Sequence, residues 1–202
     1  MKPFVRHEGR VAALDRSNVD TDQIVPKQFL KRVGRTGFGR FLFYDWRFLD
    51  DGETPDPRFE LNRPECAGAS ILLTRENFGS GSSREHAVWA LMDYGFRAVI
   101  APSFADIFYN NCMQNGLLPV KLAPAEVDRL FARAAAEPGF RLVVDLEHCR
   151  IHDDHGIDLS FTIDPGHRQR LLAGLDAVAV TLQHEARIAA YEQRRAGEMP
   201  WL

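Results

Sequence analysis

A glycine- and serine-rich segment that ends in an arginine is the part of the sequence best suited to chemistry. The segment, Gly79–His86, reads GSGSSREH and lies between a predicted buried strand and a predicted helix. Glycines allow backbone conformations and close ligand approach that a side chain would prevent. A helix N-terminus offers unpaired N–H groups and the positive end of the helix dipole. The segment therefore predicts an anion site.

Arg84, Ser82 and Ser83 add side-chain groups to this predicted anion site. A guanidinium binds carboxylate or phosphate through two parallel hydrogen bonds. A dinucleotide fingerprint would need a third glycine in place of Arg84, and a phosphate-binding P-loop would need Gly-Lys-Ser/Thr. The spacing also differs from the Gly-x-Ser-x-Gly nucleophile elbow. Two interpretations remain: either a serine only caps the helix, or the loop forms a carboxylate or oxyanion pocket with a serine near the reacting carbon.

The segments that flank this loop predict an α/β domain. Alternation of strand and helix patterns is typical of a parallel sheet, and period-two alternation near the end of the chain is typical of an antiparallel hairpin. We therefore expect a mixed sheet with flanking helices and an antiparallel hairpin. Residues 1–202 would form one domain, with a long mobile loop at about 31–65 and a C-terminal helical extension at about 165–202. The predicted strands cover 4–14, 70–74, 98–101, 118–122, 142–146, 150–152 and 157–163, and the predicted helices cover 85–94, 102–116, 124–136, 165–175 and 182–194.

Length and composition restrict the function classes. The chain has 202 residues, with 25 Lys+Arg against 28 Asp+Glu and a net charge of −3, which suits one domain and does not favour nucleic-acid binding. No apolar run approaches the roughly 20 residues of a membrane helix, and the charged first residues do not resemble a signal peptide. We expect a cytoplasmic protein without membrane or nucleic-acid partners. Cys66, Cys112 and Cys149 are widely separated and form no Cys-x-x-Cys pair, so we expect no metal on this chain.

Several motifs together resemble the aconitase family. Asn18–Asp22 with Pro26, then Gly79–His86, then Phe104–Phe108 followed by Asn115–Pro119 occur in that family in the same order. They match its small swivel domain, a swivelling β/β/α domain. As a separate chain of this length, the sequence resembles the small-subunit family of bacterial 3-isopropylmalate dehydratases. The further matching segments are 26–31, 35–39, 45–48, 174–176 and 181–184, so the resemblance covers nearly the whole chain.

The resemblance implies one half of a hydro-lyase. A large subunit would carry a 4Fe-4S cluster and bind a small 2-hydroxy diacid, and this chain would close over it without a cofactor of its own. The implied reaction isomerises 2-isopropylmalate and 3-isopropylmalate by dehydration and rehydration through isopropylmaleate, in leucine biosynthesis. Two alternatives stay open: the same chemistry on homoaconitate, citrate or methylmalates, and a non-catalytic carboxylate-binding module.

The resemblance also assigns roles around the glycine-rich loop. Ser82 matches the catalytic serine that removes a proton from carbon, and Ser83 and Arg84 match residues that bind substrate carboxylate. Ser80 departs from the family, whose members often have Cys there. The remaining members of this group are structural: Thr21 and Asp22 would shape the site floor, Gly79 and Gly81 the loop, and His86 the helix start rather than acting as a base.

A second group of candidates lies in the loop predicted to be mobile. Arg35, Thr36, Gly37 and Phe38 would select the substrate side chain, and Phe38 would contact an isopropyl group. A solvated basic loop is the alternative interpretation for its arginines. We also expect residues 31–48 to be poorly protected from hydrogen exchange until the large subunit binds.

Overall fold

One seven-stranded mixed sheet organises the part of the chain that the structure, a computed structural model, describes: residues 1–32 and 34–199. The strand order is β4-β3-β2-β1-β5-β6-β7. The strands are β1 (Arg6–Leu14), β2 (Ile71–Thr74), β3 (Ala98–Ala101), β4 (Leu118–Lys121), β5 (Arg141–Asp145), β6 (Arg150–His152) and β7 (Asp158–Ser160).

The helices connect these strands or extend the chain beyond them. They are α1 (Thr21–Ile24), α2 (Tyr44–Arg47), α3 (His86–Tyr94), α4 (Asp106–Asn115), α5 (Pro124–Ala136), α6 (Pro165–Ala173), α7 (Ala177–Leu182) and α8 (Glu185–Glu198). Single turns of 3-10 helix cover Lys27–Phe29, Gly39–Phe41, Glu60–Asn62 and Pro64–Cys66.

The strands β1 to β4 form the parallel half of the sheet. All four residues of β2 and of β3 are buried, as expected for a sheet covered on both faces. Because successive side chains of a strand point to opposite faces, the sheet separates two hydrophobic cores. Leu72 and Val99 belong to one core, and Leu73 and Ile100 belong to the other.

The other half of the sheet is antiparallel. β1 pairs with β5, and β6 and β7 then continue as a hairpin in which His152 lies opposite Asp158. The predicted α/β class, with a mixed sheet, flanking helices and an antiparallel hairpin, is confirmed. The last strand is shorter than the predicted 157–163, and α4 begins at Asp106 rather than at residue 102.

Parts of the segment predicted as a long mobile loop pack into the core. Short helical turns within residues 39–47 and 60–66 bring Phe38, Phe41, Phe43 and Phe59 into the core, whereas residues 48–58 contain no buried residue. Arg47 is buried there and donates to the carbonyl oxygens of Gly39 at 3.0 Å and Arg40 at 2.8 Å. Burial of aromatic rings compensates for the lack of long regular elements. Residues 31–32 and 34–37 are all exposed, with Val33 outside the described residues, and the mobility of the segment about 31–65 stays a prediction.

The C-terminal extension differs in packing along its length. Leu171 of α6 is fully buried, and the N-terminal amino group of Met1 donates to the carbonyl of Gly174 at 2.9 Å. In contrast, α7 and α8 contain no buried residue. Residues 200–202 of the predicted extension lie outside the described part. No helix in the described ranges is long and apolar enough to cross a membrane.

Candidate active site

The loops that follow β1 and β2 meet beside each other. Parallel pairing places Leu14 opposite Thr74, so the chain leaves both strands at the same edge of the sheet. The two loops then hydrogen-bond: Gly79 N–H donates to the carbonyl of Val19 at 2.7 Å, and Thr21 N–H donates to that of Ser80 at 2.9 Å. Carboxyl ends of parallel strands are where open α/β sheets bind ligands.

Two glycines give the second loop its course. Gly79 has φ of 77°, and a Cβ atom there would collide with the ring of Phe108. Gly81 has φ of 93° and lies against Asp20 and Thr21, where an added Cβ would be 3.4 Å from the Thr21 hydroxyl oxygen. Positive φ favours glycine at both positions. The loop can therefore approach the first turn of α1 closely.

Thr21 holds Ser82 in place. The buried Thr21 hydroxyl oxygen accepts from the backbone N–H of Ser82 at 3.2 Å and lies 3.5 Å from the Ser82 hydroxyl oxygen. It also donates to the backbone carbonyl of Ser82 at 3.3 Å. Ser82 and Ser83 are exposed. The structure thus presents the Ser82 hydroxyl at the surface on a fixed backbone.

Arg84 and Asp22 form an ion pair next to Ser82. The other carboxylate oxygen of Asp22 lies 3.4 Å from the Lys27 ammonium. The Arg84 side chain is 22% exposed and that of Asp22 is 39% exposed, so the pair lies at a partly wet surface. Asp22 therefore orients the guanidinium of Arg84, two residues after the exposed Ser82, while Lys27 adds a second positive charge.

The helix after the loop begins one residue after its predicted start at Glu85. α3 starts at His86, and its N-cap residue is Glu85, whose side chain makes no capping hydrogen bond. Neither serine caps the helix, and Ser82 lies four residues before its first residue. The guanidinium of Arg84 and the ammonium of Lys27 are the positive groups whose side-chain placement the structure defines here.

His86 packs among aromatic rings on α3. Its ring lies 4.6 Å from that of Trp89 and 5.2 Å from that of Phe38, measured between centroids. Burial lowers the pKa of His86; the nearby Glu85 raises that pKa and Arg84 lowers it further. His86 is therefore neutral at neutral pH, as suits a packed residue.

The residues predicted to select the substrate separate into two groups. Arg35, Thr36 and Gly37 are exposed, and the Arg35 guanidinium lies 5.4 Å from the centre of the Trp89 ring. Arg35 and Thr36 line a groove of about 290 Å³ with Trp89, Met92, Asp93 and Asn115. Phe38, in contrast, is fully buried. Its predicted contact with a substrate is corrected: the ring packs on α3 because burial of an aromatic side chain is strongly favourable.

The sequence indicated no individual role for two further residues of the site, Asn115 and Lys27. Asn115 hydrogen-bonds both Glu85 and Trp89, and Lys27 pairs with Asp22. Both belong to motifs named in the sequence, yet spacing alone does not indicate their partners. Asp20 is a helix cap: its carboxylate accepts from Gln23 N–H at 2.8 Å and its own N–H donates to the Gln23 side chain at 2.9 Å.

The cysteines of this chain do not fit an iron–sulfur cluster. Burial raises the pKa of the Cys66 thiol and raises that of Cys112 well above its ordinary value, so both stay protonated. A cluster requires thiolates that lie together. Within residues 1–32 and 34–199, no group of three or more His, Cys, Asp and Glu side chains is arranged to hold a metal ion.

The fold and this loop site define a class of protein. Residues 1–125 match the family model described as the aconitase C-terminal domain. The rest of the chain narrows the class: residues 128–165 match the model described as LeuD_N, and residues 178–202 match the model for the C-terminal domain of the 3-isopropylmalate dehydratase small subunit.

Whole-chain comparisons agree with these models. The chain is 63% identical to the 3-isopropylmalate dehydratase small subunit of Rhodopirellula baltica over 195 residues, covering 96% of this chain and 100% of that one. It is 59% identical to the small subunit of Geobacillus sp. over 194 residues, covering 96% and 98%. A crystal structure of 3-isopropylmalate dehydratase (LeuD) from Methanocaldococcus jannaschii superposes with a TM-score of 0.67 at 26% identity, covering 93% and 99%.

The chain belongs to the family of 3-isopropylmalate dehydratase small subunits. The predicted resemblance and the predicted class, a subunit of a hydro-lyase, are confirmed. Membership among small subunits implies a large subunit as the partner chain.

Proposed function

We propose that this chain supplies the base and a carboxylate-binding arginine to a two-chain enzyme that interconverts 2-isopropylmalate and 3-isopropylmalate through isopropylmaleate. The observation that carries the proposal is the exposed Ser82 hydroxyl, held by Thr21 and adjacent to the Asp22–Arg84 pair. The reaction belongs to leucine biosynthesis, and we place the enzyme in the cytoplasm as a heterodimer with its large subunit.

Ser82 is the proposed base. In dehydration the C–H bond next to a carboxylate breaks, the proton moves to the Ser82 oxygen, and the electron pair forms the C=C bond as the hydroxyl group leaves from the neighbouring carbon. The serine oxygen must be an alkoxide to accept this proton. Arg84 and Lys27 lower the cost of that charge, as positive neighbours do for an activated nucleophile or base. Rehydration reverses the sequence, with water added at the other carbon.

Arg84 is the proposed carboxylate ligand, with Ser83 beside it. A guanidinium has five N–H donors. Asp22 engages Nη1 of Arg84, so further N–H groups can bind a substrate carboxylate while the side chain stays oriented. Asp22 is thus a positioning residue for Arg84. The exposed hydroxyl of Ser83 supports binding to the same carboxylate.

The large subunit is the proposed site of the 4Fe-4S cluster. The cluster supplies a Lewis acid for the hydroxyl and carboxylate of the substrate. The buried, protonated Cys66 and Cys112 support that assignment. The exposed residues 34–37 are the proposed selectors of the substrate side chain, with Arg35 and Thr36 at the Trp89 groove.

The experiment that tests the proposal is reconstitution with the large chain under anaerobic conditions, followed by isopropylmaleate formation measured by absorbance. Ser82→Ala should lower kcat by about 10²–10⁴-fold, the usual contribution of a positioned acid or base. Ser80→Ala, a similar change two residues earlier in the loop, should retain activity. Full activity of Ser82→Ala would favour the non-catalytic carboxylate-binding module.

Substrate identity needs its own comparison. A panel of isopropylmalate, homoaconitate, citrate and methylmalate should give the highest kcat/KM with isopropylmalate. A higher kcat/KM for another diacid would keep the chemistry and overturn the substrate assignment. This chain alone should be colourless and inactive, and a brown, active single chain would contradict the two-chain site.

A further inference from the structure

Asn115 lines the groove that contains Arg35 and Trp89, and its side chain connects two helices there. Its amide nitrogen donates to the Glu85 carboxylate at 2.7 Å and to the Asn111 carbonyl at 2.9 Å. Its amide oxygen accepts from the indole N–H of Trp89 at 3.1 Å. Both amide hydrogens and the amide oxygen are therefore used, and the side chain is fixed in one orientation.

The backbone at Asn115 is equally constrained. Asn115 is the last residue of α4, and Gly116 follows in a left-handed conformation, with φ of 89° and its N–H bonded to the Cys112 carbonyl at 3.0 Å. Such a C-terminal cap fixes where the last side chain of a helix points. A fixed acceptor at the end of α4 thus determines where the indole N–H of Trp89 lies.

Trp89 in turn supports the loop that is proposed to select the substrate. The Arg35 guanidinium lies over the Trp89 ring at 5.4 Å, and the Phe38 ring lies 5.9 Å from it. The far end of the loop is bound to the same helix, because Gly39 N–H donates to the Asp93 carboxylate at 2.8 Å. Movement of the Trp89 ring would therefore displace Arg35 while Gly39 stays bound.

We propose that Asn115 is a positioning residue for substrate selection, which acts by fixing the Trp89 ring on which the Arg35 loop rests. This inference rests on the proposed function and adds residues to it. The hydrogen bonds of Ser82 and Arg84 do not involve Asn115. Substitution of Asn115 should therefore change which side chain is accepted more than it changes the rate of proton removal.

The test compares Asn115→Leu with wild type in the complex reconstituted with the large chain. Hydration of isopropylmaleate and of methylmaleate is measured in parallel. Asn115→Leu should raise KM for isopropylmaleate about five- to tenfold, as expected for loss of a partly buried hydrogen bond, with kcat within about twofold. The ratio of kcat/KM for isopropylmaleate to that for methylmaleate should fall by a similar factor. Asn110→Leu, the same change at an exposed position of α4, should leave the KM for isopropylmaleate and this ratio unchanged.

Trp89→Phe keeps an aromatic ring but loses the indole N–H and the second ring of the indole, so it also removes the hydrogen bond to Asn115 and tests the same contact if Asn115→Leu folds poorly. It should shift the selectivity ratio in the same direction. The double variant should show less than the sum of the two single effects, because both substitutions remove that one hydrogen bond. Equal losses of kcat on both substrates, or an unchanged selectivity ratio in either variant, would overturn the proposal.

A spectroscopic readout separates this proposal from the proposed function. The sequence has three tryptophans, and the indole N–H signal that disappears in Trp89→Phe identifies Trp89 in a ¹H–¹⁵N spectrum of the full chain. In Asn115→Leu that signal should move and exchange faster with water. An unmoved signal overturns the Asn115–Trp89 link even if the enzyme is active. A wild-type complex without turnover of isopropylmaleate overturns the proposed function and the selection role, whatever the signal does.

Discussion

The Thr21 hydroxyl oxygen lies 3.2 Å from the backbone nitrogen of Ser82 and 3.5 Å from its hydroxyl oxygen. Thr21 is 2% exposed, whereas Ser82 is exposed. A buried side chain on one loop thus fixes an exposed side chain on the other. The orientation of the proposed base, Ser82, therefore depends on Thr21, which is itself buried.

Thr21→Val should lower kcat by about tenfold with little change in KM. The substitution keeps the volume and removes the acceptor of the Ser82 N–H, so the serine loses orientation in the transition state. Steady-state kinetics of the reconstituted complex measures this effect. Thr21→Ser retains the hydroxyl and should retain most of the activity. A valine variant with wild-type kcat would show that Thr21 does not position Ser82.

Arg84→Lys should lower kcat/KM by about 100-fold, since an ammonium cannot reproduce the planar fork that binds Asp22 and a carboxylate together. Arg75→Lys provides the comparison: Arg75 also binds carboxylates, Asp15 and Asp128, but contacts none of the proposed site residues. That variant should keep wild-type kinetics. Equal kinetics for both variants would remove Arg84 from the proposed site.

The sequence predicted the central fold well because its signals are local. The buried strands are short apolar runs, and Gly95 and Gly116 end α3 and α4 as C-terminal caps. It did not indicate the short helical turns within residues 38–65, where glycines and prolines suggested a mobile loop. The core contacts of Phe38 and Phe43 depend on chain segments distant in sequence, and periodicity cannot detect those contacts.

The candidate site was also predicted only in part, because local patterns were informative and contacts between distant segments were not. Glycine spacing indicated the course of the Ser82 loop, and the structure brings Thr21, Asp22, Ser82 and Arg84 together. The predicted start of α3 at Glu85 is one residue from the observed start at His86, and the serines before it do not cap the helix although their residue type favours capping. The link from Asn115 to Trp89 joins two helices and has no local signal.

Phe38→Ala should reduce stability rather than substrate binding. Removing a fully buried aromatic side chain costs about 3–5 kcal/mol of unfolding free energy. Urea unfolding of the chain measures the change. Thr36→Ala, at an exposed position two residues earlier, should change the unfolding free energy by less than about 0.5 kcal/mol. A stable Phe38→Ala variant with a raised KM would restore the substrate contact that the structure contradicts.

Gly79→Ala should destabilise the chain by about 3 kcal/mol, from left-handed backbone strain together with overlap on the Phe108 ring. Gly37→Ala is a matched control for strain alone, because Gly37 has φ of 80° and nothing within 4 Å of an added Cβ. It should cost about 1 kcal/mol. The difference in Tm between the two variants measures the cost of the overlap with the Phe108 ring. Equal Tm values would mean that Phe108 moves aside without cost.

The last prediction concerns pH and the histidine at the start of β1. Burial lowers the pKa of His7; the charges of Arg97 and Arg141 lower it further, while Glu8 raises it. The ring also lies 2.8 Å from the Ser70 hydroxyl. The unfolded chain therefore binds a proton near its ordinary pKa of about 6.5 more readily than the folded chain does. Stability is complete above that pKa and falls as pH decreases through it.

The wild-type unfolding free energy should consequently decline as the pH falls from 7.5 to 5.5. This range lies above the pH at which carboxylates become protonated. His86, whose pKa burial also lowers, contributes in the same direction. His7→Gln removes the ionisable group, so urea unfolding of this variant should give a smaller decline over that range. At pH 8 neither histidine is charged, so the unfolding free energies of wild type and His7→Gln should both be independent of pH. A difference between the two unfolding free energies at that pH measures the effect of the substitution on packing. A variant with the full wild-type pH dependence would show that His7 protonation is not coupled to unfolding.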